Sequence, residues 1–289
     1  MKQNAIVRPQ PLKTQLLKWI GNKQRSAEAI TSSLPVTYQR YFEPFLGAGA
    51  VLGTLAPASA LAADSYAPLV EIWIAVKDQP DTVARWYEER WNEFRSGDRV
   101  LRYAEIRDRF NAGPNGADLL FLCRSCYGGV VRFRKNDGYM STPVGAHNPI
   151  SPESFSRRLS EWSPRIQGCE FLVSDYRDSM ALAGDGDLVY CDPPYSHSQS
   201  ILYGAQRFRF DDLLLATQSA KSRGAKIALS IDGHKRGGDE LLDVPVPDGL
   251  FETEILIDKG TSMLRRFQLQ GRNGDGEGVA DRLLLTYRP

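Results

Sequence analysis

Asp187-Leu188-Val189-Tyr190-Cys191-Asp192-Pro193-Pro194-Tyr195 is an apolar run of strand length that meets an acid, two prolines and an aromatic ring. Leu188 to Cys191 read as a buried strand, and Pro193-Pro194 must end it, because proline has no N–H to give a sheet ladder. Asp192 and the carbonyls beside it then fall at the strand's carboxyl end, where open α/β sheets bind their ligands. A stiff turn with free acceptors, a carboxylate and a flat ring suits the holding of a planar group by its amino substituent. Asp192 and the carbonyl of Pro193 can each accept one N–H while Tyr195 stacks on the ring. The same four residues, Asp192 to Tyr195, also make an ordinary strand-ending turn, since Asp and Pro are common turn residues.

Working outward, three other short apolar or aromatic segments read as strands, two of them ending in an acid. Arg40 to Phe45 reads as an aromatic strand that enters a small-residue turn, Gly47-Ala48-Gly49, and then a helical pattern. The third glycine of a dinucleotide fingerprint is missing, which speaks against a pyrophosphate cradle and against a nicotinamide dehydrogenase. Gly47 and Gly49 instead remove side chains where a ligand touches the backbone. Ala60 to Ala63 is a second strand ending in Asp64, placed to accept hydrogen bonds from ribose hydroxyls; a plain turn acid is the alternative. Phe171 to Tyr176 is a third strand, whose Asp175 can take an adenine amino group. Near the start, Trp19-x-Gly21-x-Lys23 offers a ring face to a planar or sulfonium ligand and an ammonium donor to a carboxylate or phosphate. A tryptophan packed on a helix beside an exposed lysine accounts for the same residues.

Between about Lys77 and Pro149 the pattern changes to arginines and acids interleaved with Trp86, Tyr87, Trp91, Phe94, Tyr103 and Phe110 at helical spacing. The segment ends as strand, Asp-Gly turn and strand over 130–140, with Arg132, Arg134, Lys135 and Asn136 crowding the tip. Such a tip can contact phosphates and base edges, or be a solvated hairpin. Beyond the Asp192 corner, Ser196 to Phe210 reads as a loop beside the site, and Asp211 as the cap of a helix over 212–222. Ala225 to Ser230, Glu254 to Ile257 and Leu283 to Tyr287 read as strands, the last two separated by a glycine-rich loop over 271–278.

With 289 residues, 42% hydrophobic and 25% charged, the chain has room for one large domain carrying an insertion. Its net charge of +1 requires any nucleic-acid contact to be a local patch. Neither a signal-peptide core nor an apolar run of membrane length is present, and a cytoplasmic protein without membrane contact is expected. Cys123-x-x-Cys126 has zinc-like spacing without a partner pair, with Cys169 and Cys191 isolated and only His147, His197 and His234 to help, so no metal is expected.

In this order, Trp19-x-Gly21-x-Lys23, Phe45-x-Gly47-x-Gly49, Asp64, Asp175 and Asp192-Pro193-Pro194-Tyr195 resemble the adenine-N6 DNA methyltransferases of the Dam-like family. Arg134-x-Asn136-x-Gly138 closing with Pro143-x-Gly145 resembles that family's hairpin segment, and the likeness runs over most of the chain. The resemblance implies a Rossmann-like α/β sheet with helices on both faces. It implies a cofactor-binding part at 1–76, a mostly helical target-recognition module at 77–154 and a catalytic part at 155–289. S-adenosylmethionine is the implied methyl donor, with Trp19, Lys23, Phe45, Gly47, Gly49, Asp64, Asp175 and Asp192 around it, and Asp192 to Tyr195 on a flipped-out adenine. Double-stranded DNA is the implied partner, with a cognate restriction nuclease as a second candidate. Tyr66 departs from the Asn that the family often has two places after the ribose acid. Cytosine N4 or RNA adenine as target, and an inactive DNA-binding protein on the same fold, remain the competing readings.

Overall fold

The computed structural model describes residues 10–134, 136–194, 208–235, 246–258 and 279–289. Tyr195, Lys135 and the glycine-rich loop over 271–278 lie outside the described residues, as does most of the loop expected after the Asp192 corner.

Among the described residues, β1 (Tyr41–Glu43), β2 (Ala60–Asp64), β3 (Cys169–Val173), β4 (Leu188–Cys191), β5 (Lys226–Lys235), β6 (Thr253–Asp258) and β7 (Val279–Leu285) form one sheet in the order β3-β2-β1-β4-β5-β7-β6. The first five in chain order are mutually parallel, and β7 runs antiparallel between β5 and β6. Parallel strands buried on both faces need apolar side chains on both sides, which is why β4 is apolar at every position and fully buried. Alternate residues feed two cores. Tyr41, Ala60, Ala62, Leu188 and Tyr190 join one, while Phe42, Leu61, Ala63, Val189 and Cys191 join the other.

Helices cover both faces. On the first lie α1 (Ala27–Ser32), α2 (Ala50–Leu55) and α3 (Ala67–Asp78). On the same side α7 (Pro152–Trp162) contributes Phe155, Leu159 and Trp162. The second face is covered by α8 (Tyr176–Ala181) and α9 (Phe210–Ser222), through Met180, Leu213 and Ala220. None of the helices among the described residues is long and apolar enough to cross a membrane.

Between α3 and α7 come α4 (Pro80–Arg95), α5 (Arg99–Ala112) and α6 (Gly116–Ser125). Asp98 caps α5 by accepting the N–H groups of Val100 and Leu101, and Asn115 caps α6 through the N–H of Asp118. The buried Asp118 carboxylate binds Arg90 at 2.8 Å and Arg109 at 2.9 Å, tying three helices together. Tyr87, Phe94, Tyr103 and Phe110 belong to the same core cluster as the first sheet face, which this stretch joins by packing on α3 and α7. The hairpin is antiparallel as expected but narrow. It pairs Phe133 with Met140, and Arg134 and Tyr139 share a backbone hydrogen bond of 2.9 Å.

Several expected boundaries move, with β5 running on to Lys235 and β7 starting already at Val279. β3 ends at Val173, and Asp175 is the cap of α8, accepting the N–H of Arg177. α9 begins one residue before Asp211, which sits in its first turn, where a negative charge still favours the helix dipole. β7 ends at Leu285, two residues short of Tyr287.

Candidate active site

The sheet order reverses between β1 and β4, the point at which open α/β sheets bind their ligands beyond the carboxyl ends of the strands. A cleft of about 470 Å³ opens there, within the size range of small-molecule sites. Its walls come from the loops after β1, β2, β3 and β4 together with Trp19 to Lys23.

Asp192 follows β4 directly and, with Pro193 and Pro194, lines the cleft. Its Oδ1 lies 3.0 Å from Nζ of Lys23, and the same ammonium lies 3.1 Å from Oδ2 of Asp281 on β7. Lys23 is 5% exposed, Asp192 17% and Asp281 fully buried. Burial alone would lower the pKa of the ammonium, but the two carboxylates outweigh it and hold Lys23 above its usual value. Lys23 was expected to donate to a ligand, whereas these contacts of its charge are with two of the protein's own acids.

A third acid sits beside them. Glu43, the last residue of β1, lines the cleft although only 2% exposed, and accepts the Tyr41 hydroxyl at 2.6 Å. Burial pushes its carboxyl up to about 8, and the neighbouring Asp192 charge adds to the rise. Sequence reasoning passed over both Glu43 and Asp281. The available signal was a carboxylate next to apolar or aromatic strand residues, Glu43 after Tyr41-Phe42 and Asp281 shortly before Leu283-Leu284-Leu285.

The turn after β1 is held by Asp64. Its Oδ2 accepts the N–H of Gly47 at 3.1 Å and its Oδ1 that of Tyr66 at 3.0 Å. Burial raises the pKa of this carboxyl, and the backbone donors partly oppose the rise. Gly47 and Gly49 have φ of +48° and +61°, in the left-handed region where a side chain is strained. They differ in what a side chain would meet. A Cβ at Gly47 would stand 3.4 Å from the Trp19 ring at the cleft wall, but one at Gly49 would come within 2.9 Å of the buried Trp73. Gly49 lines the cleft as well, and its missing side chain also makes room for the Trp73 ring of the core. Trp73 also donates its indole N–H to the Gly47 carbonyl at 3.0 Å.

Aromatic faces line the remainder. Trp19 stacks on Tyr66 with centroids 6.4 Å apart, and Tyr66 meets Phe133 of the hairpin edge-on at 5.5 Å. Tyr66, noted in the sequence only as a departure, thus joins the cleft wall to the hairpin. Phe45 stacks on Tyr176 at 5.0 Å. Asp175 also lines the cleft, but its carboxylate is chelated by Arg177 at 2.9 and 3.1 Å, and this pairing holds it below the usual carboxylate range.

Among the described hairpin residues, Arg132, Arg134 and Asn136 do not line this cleft. Arg132 is exposed and has no side-chain partner among the described residues, and Asn136 is exposed in the turn. Arg134 is engaged within the hairpin, paired with Asp137 at 2.8 Å and lying over the Tyr139 ring at 4.2 Å. Cys123, Cys126, Cys169 and Cys191 are buried free thiols, and no cluster of His, Cys, Asp or Glu suited to a metal occurs among the described residues.

A mostly parallel seven-stranded sheet with an antiparallel β7, and a cleft at the switch point ending in Asp192-Pro193-Pro194, define a Rossmann-like methyltransferase. Comparison with known sequences makes this specific. The family model for the D12 class N6 adenine-specific DNA methyltransferase matches residues 19–243, and the chain belongs to that family. It is 26% identical to a DNA adenine methylase of Vibrio cholerae over 290 residues, covering 94% of this chain and 95% of that protein. It is 30% identical to the retron Ec67 DNA adenine methylase of Escherichia coli, covering 68% of each. The Type II methyltransferase M.MjaIII of Methanocaldococcus jannaschii is 28% identical, with 74% of this chain and 82% of that protein covered. The chain is accordingly an enzyme that methylates adenine in DNA.

Proposed function

We propose that the cleft binds S-adenosylmethionine and that Asp192 and the Pro193 carbonyl present the N6 amine of a flipped-out adenine to it. The observation that carries this reading is the Asp192 carboxylate, fixed by Lys23 at the end of β4 and facing a cleft with aromatic walls. The lining suits the cofactor. Trp19, Phe45 and Tyr66 provide faces for a purine and a sulfonium, Asp64 an acceptor for ribose hydroxyls, Asp175 a polar edge, and Gly47 an open backbone. When bound, S-adenosylmethionine supplies an electrophilic methyl group on a positively charged sulfur.

The adenine amine is a weak nucleophile because its lone pair is delocalised into the ring. By accepting both N–H groups, Asp192 and the Pro193 carbonyl draw the nitrogen toward tetrahedral geometry and free that pair. The Asp192 carboxylate also stabilises the positive charge that grows on the nitrogen, an effect strengthened by its shielded position. Transfer is direct, with no covalent bond to the enzyme: the N–C bond would form as the S–C bond breaks, S-adenosylhomocysteine would leave, and the methylated nitrogen would release one of its two protons. A stacked base cannot reach this cleft, so it must leave the duplex, and Tyr195 is assigned its stacking face. Residues 77–154 act as the target-recognition module, with Arg132, Arg134, Lys135 and Asn136 at the DNA. The likeness to a Type II methyltransferase makes a restriction nuclease of the same site specificity the candidate partner.

Single-turnover transfer from labelled S-adenosylmethionine to unmethylated duplex DNA, followed by nucleoside analysis, tests the reading. N6-methyladenine is the expected product, and Asp192→Ala should lower the rate by at least about a hundredfold, as for loss of a strong transition-state contact. An unchanged rate in Asp192→Ala overturns the role given to this corner.

A further inference from the structure

The matched family region stops at residue 243, yet the ammonium of Lys23, which lines the cleft, is held in part by an acid beyond that point. Asp281 lies on β7 opposite Asp232 of β5 and Ile257 of β6, in the interior of the sheet. Leu283 and Leu285 share its side of the strand and enter the same core as Tyr190 and Leu17, which is the side on which Lys23 arrives. The result is one buried ammonium held at 3.0 Å by Asp192 and at 3.1 Å by Asp281.

We propose that Asp281 is a positioning residue for methyl transfer, acting through Lys23 to orient Asp192 and to preserve its negative character. This rests on the reading of Asp192 as the acceptor of the target amine. Two consequences follow from the geometry. A lysine ammonium has three donors on a freely rotating end, and a single carboxylate partner leaves it several ways to sit. A second anchor from another strand removes that freedom. The charges also matter: with Asp281 present, one cation is shared between two anions, so Asp192 is only partly neutralised. Without Asp281 the whole positive charge would fall on Asp192 and weaken the carboxylate that must stabilise a growing positive charge. Glu43 does not upset this balance near neutral pH, because burial keeps it protonated there.

A purely structural Asp281 would stabilise the fold and leave the chemistry of each folded molecule unchanged. The experiment therefore compares Asp281→Asn, Lys23→Met and the double variant in single-turnover transfer at saturating S-adenosylmethionine and DNA. Calorimetric affinity for S-adenosylmethionine and thermal melting are measured beside it. Asp281→Asn should slow transfer by about ten- to a hundredfold, the scale of a small misplacement of a reacting group, with cofactor affinity within about twofold. The double variant should be no slower than Lys23→Met, since Asp281 acts only through that ammonium. A parental rate in folded Asp281→Asn overturns the proposal, as does a double variant slower than Lys23→Met by the full Asp281→Asn factor. Should Asp281→Asn fail to fold, the comparison of the double variant with Lys23→Met decides. A parental rate in Asp192→Ala would instead overturn the underlying reading of the corner, and the two failures are thereby told apart.

Discussion

The Asp64 carboxylate accepts the backbone N–H of Gly47 at 3.1 Å, so the acid at the end of β2 holds the glycine turn at the end of β1. One side chain thus shapes the cleft wall and faces its interior. Asp64→Ala should weaken S-adenosylmethionine binding by roughly 2–4 kcal/mol, or about 30- to 1000-fold, through loss of charge-assisted hydrogen bonds. Calorimetry reads this directly. Unchanged affinity would reduce Asp64 to a turn clamp.

The two glycines of that turn should respond differently to a methyl group. Gly49→Ala places a Cβ at a φ of +61° and 2.9 Å from Trp73, and should destabilise the fold by roughly 2–5 kcal/mol. Gly47→Ala meets only the Trp19 ring at 3.4 Å and should cost about 1–2 kcal/mol, mostly backbone strain, while narrowing the cleft. Urea unfolding ranks the two, and equal losses would contradict this division between core and cleft.

Glu43 links stability to pH. Its carboxyl has an ordinary value of 4.5 and is raised to about 8 in the folded protein. Between these values the folded chain holds a proton that the unfolded chain has released, so the contribution of Glu43 to stability falls as pH rises through that window. Glu43→Gln should therefore match the parent near pH 5 and gain in melting temperature relative to it toward pH 9. A difference between the two that does not change with pH would show that Glu43 is not protonated in the fold.

At the hairpin, Arg132→Ala should weaken DNA binding and lower the salt dependence by about one unit of slope if it meets a phosphate. Arg134 is committed to Asp137 and Tyr139, and its replacement should loosen the turn as well as the contact. Lys135→Ala should behave like Arg132→Ala. Cofactor affinity should be untouched in all three. Anisotropy titrations across a range of salt provide the measurement, and three variants that bind like the parent would place recognition elsewhere in the module.

Much of this molecule was legible before its structure. A run as apolar as Leu188 to Cys191, stopped by two prolines, has few alternatives to a buried strand, and Asp64, Asp175 and Asp192, which end or follow β2, β3 and β4, fall at one end of the sheet because parallel strands share a direction. What escaped was long-range. Nothing local says that β7 enters between β5 and β6, and without that crossing Asp281 is simply a charged residue near the chain's end. The second duty of Gly49, leaving room for Trp73, was hidden for a related reason, since Trp73 is brought there only by the packing of α3. Arg134 carried the right charge for DNA, but its pairing with Asp137 depends on how tightly a short turn closes.

The placement of β7 also sets a schedule. During synthesis the glycine turn, Asp64 and the Asp192 corner all emerge before Asp281 does, and at about 5–20 residues per second the interval from Asp192 to Asp281 lasts roughly 4–18 s. A nascent chain passes through a stage at which Lys23 can reach only one of its two carboxylates. The parts that enclose the cofactor are then already present, while the charge arrangement assigned to methyl transfer waits for one of the last strands to be made.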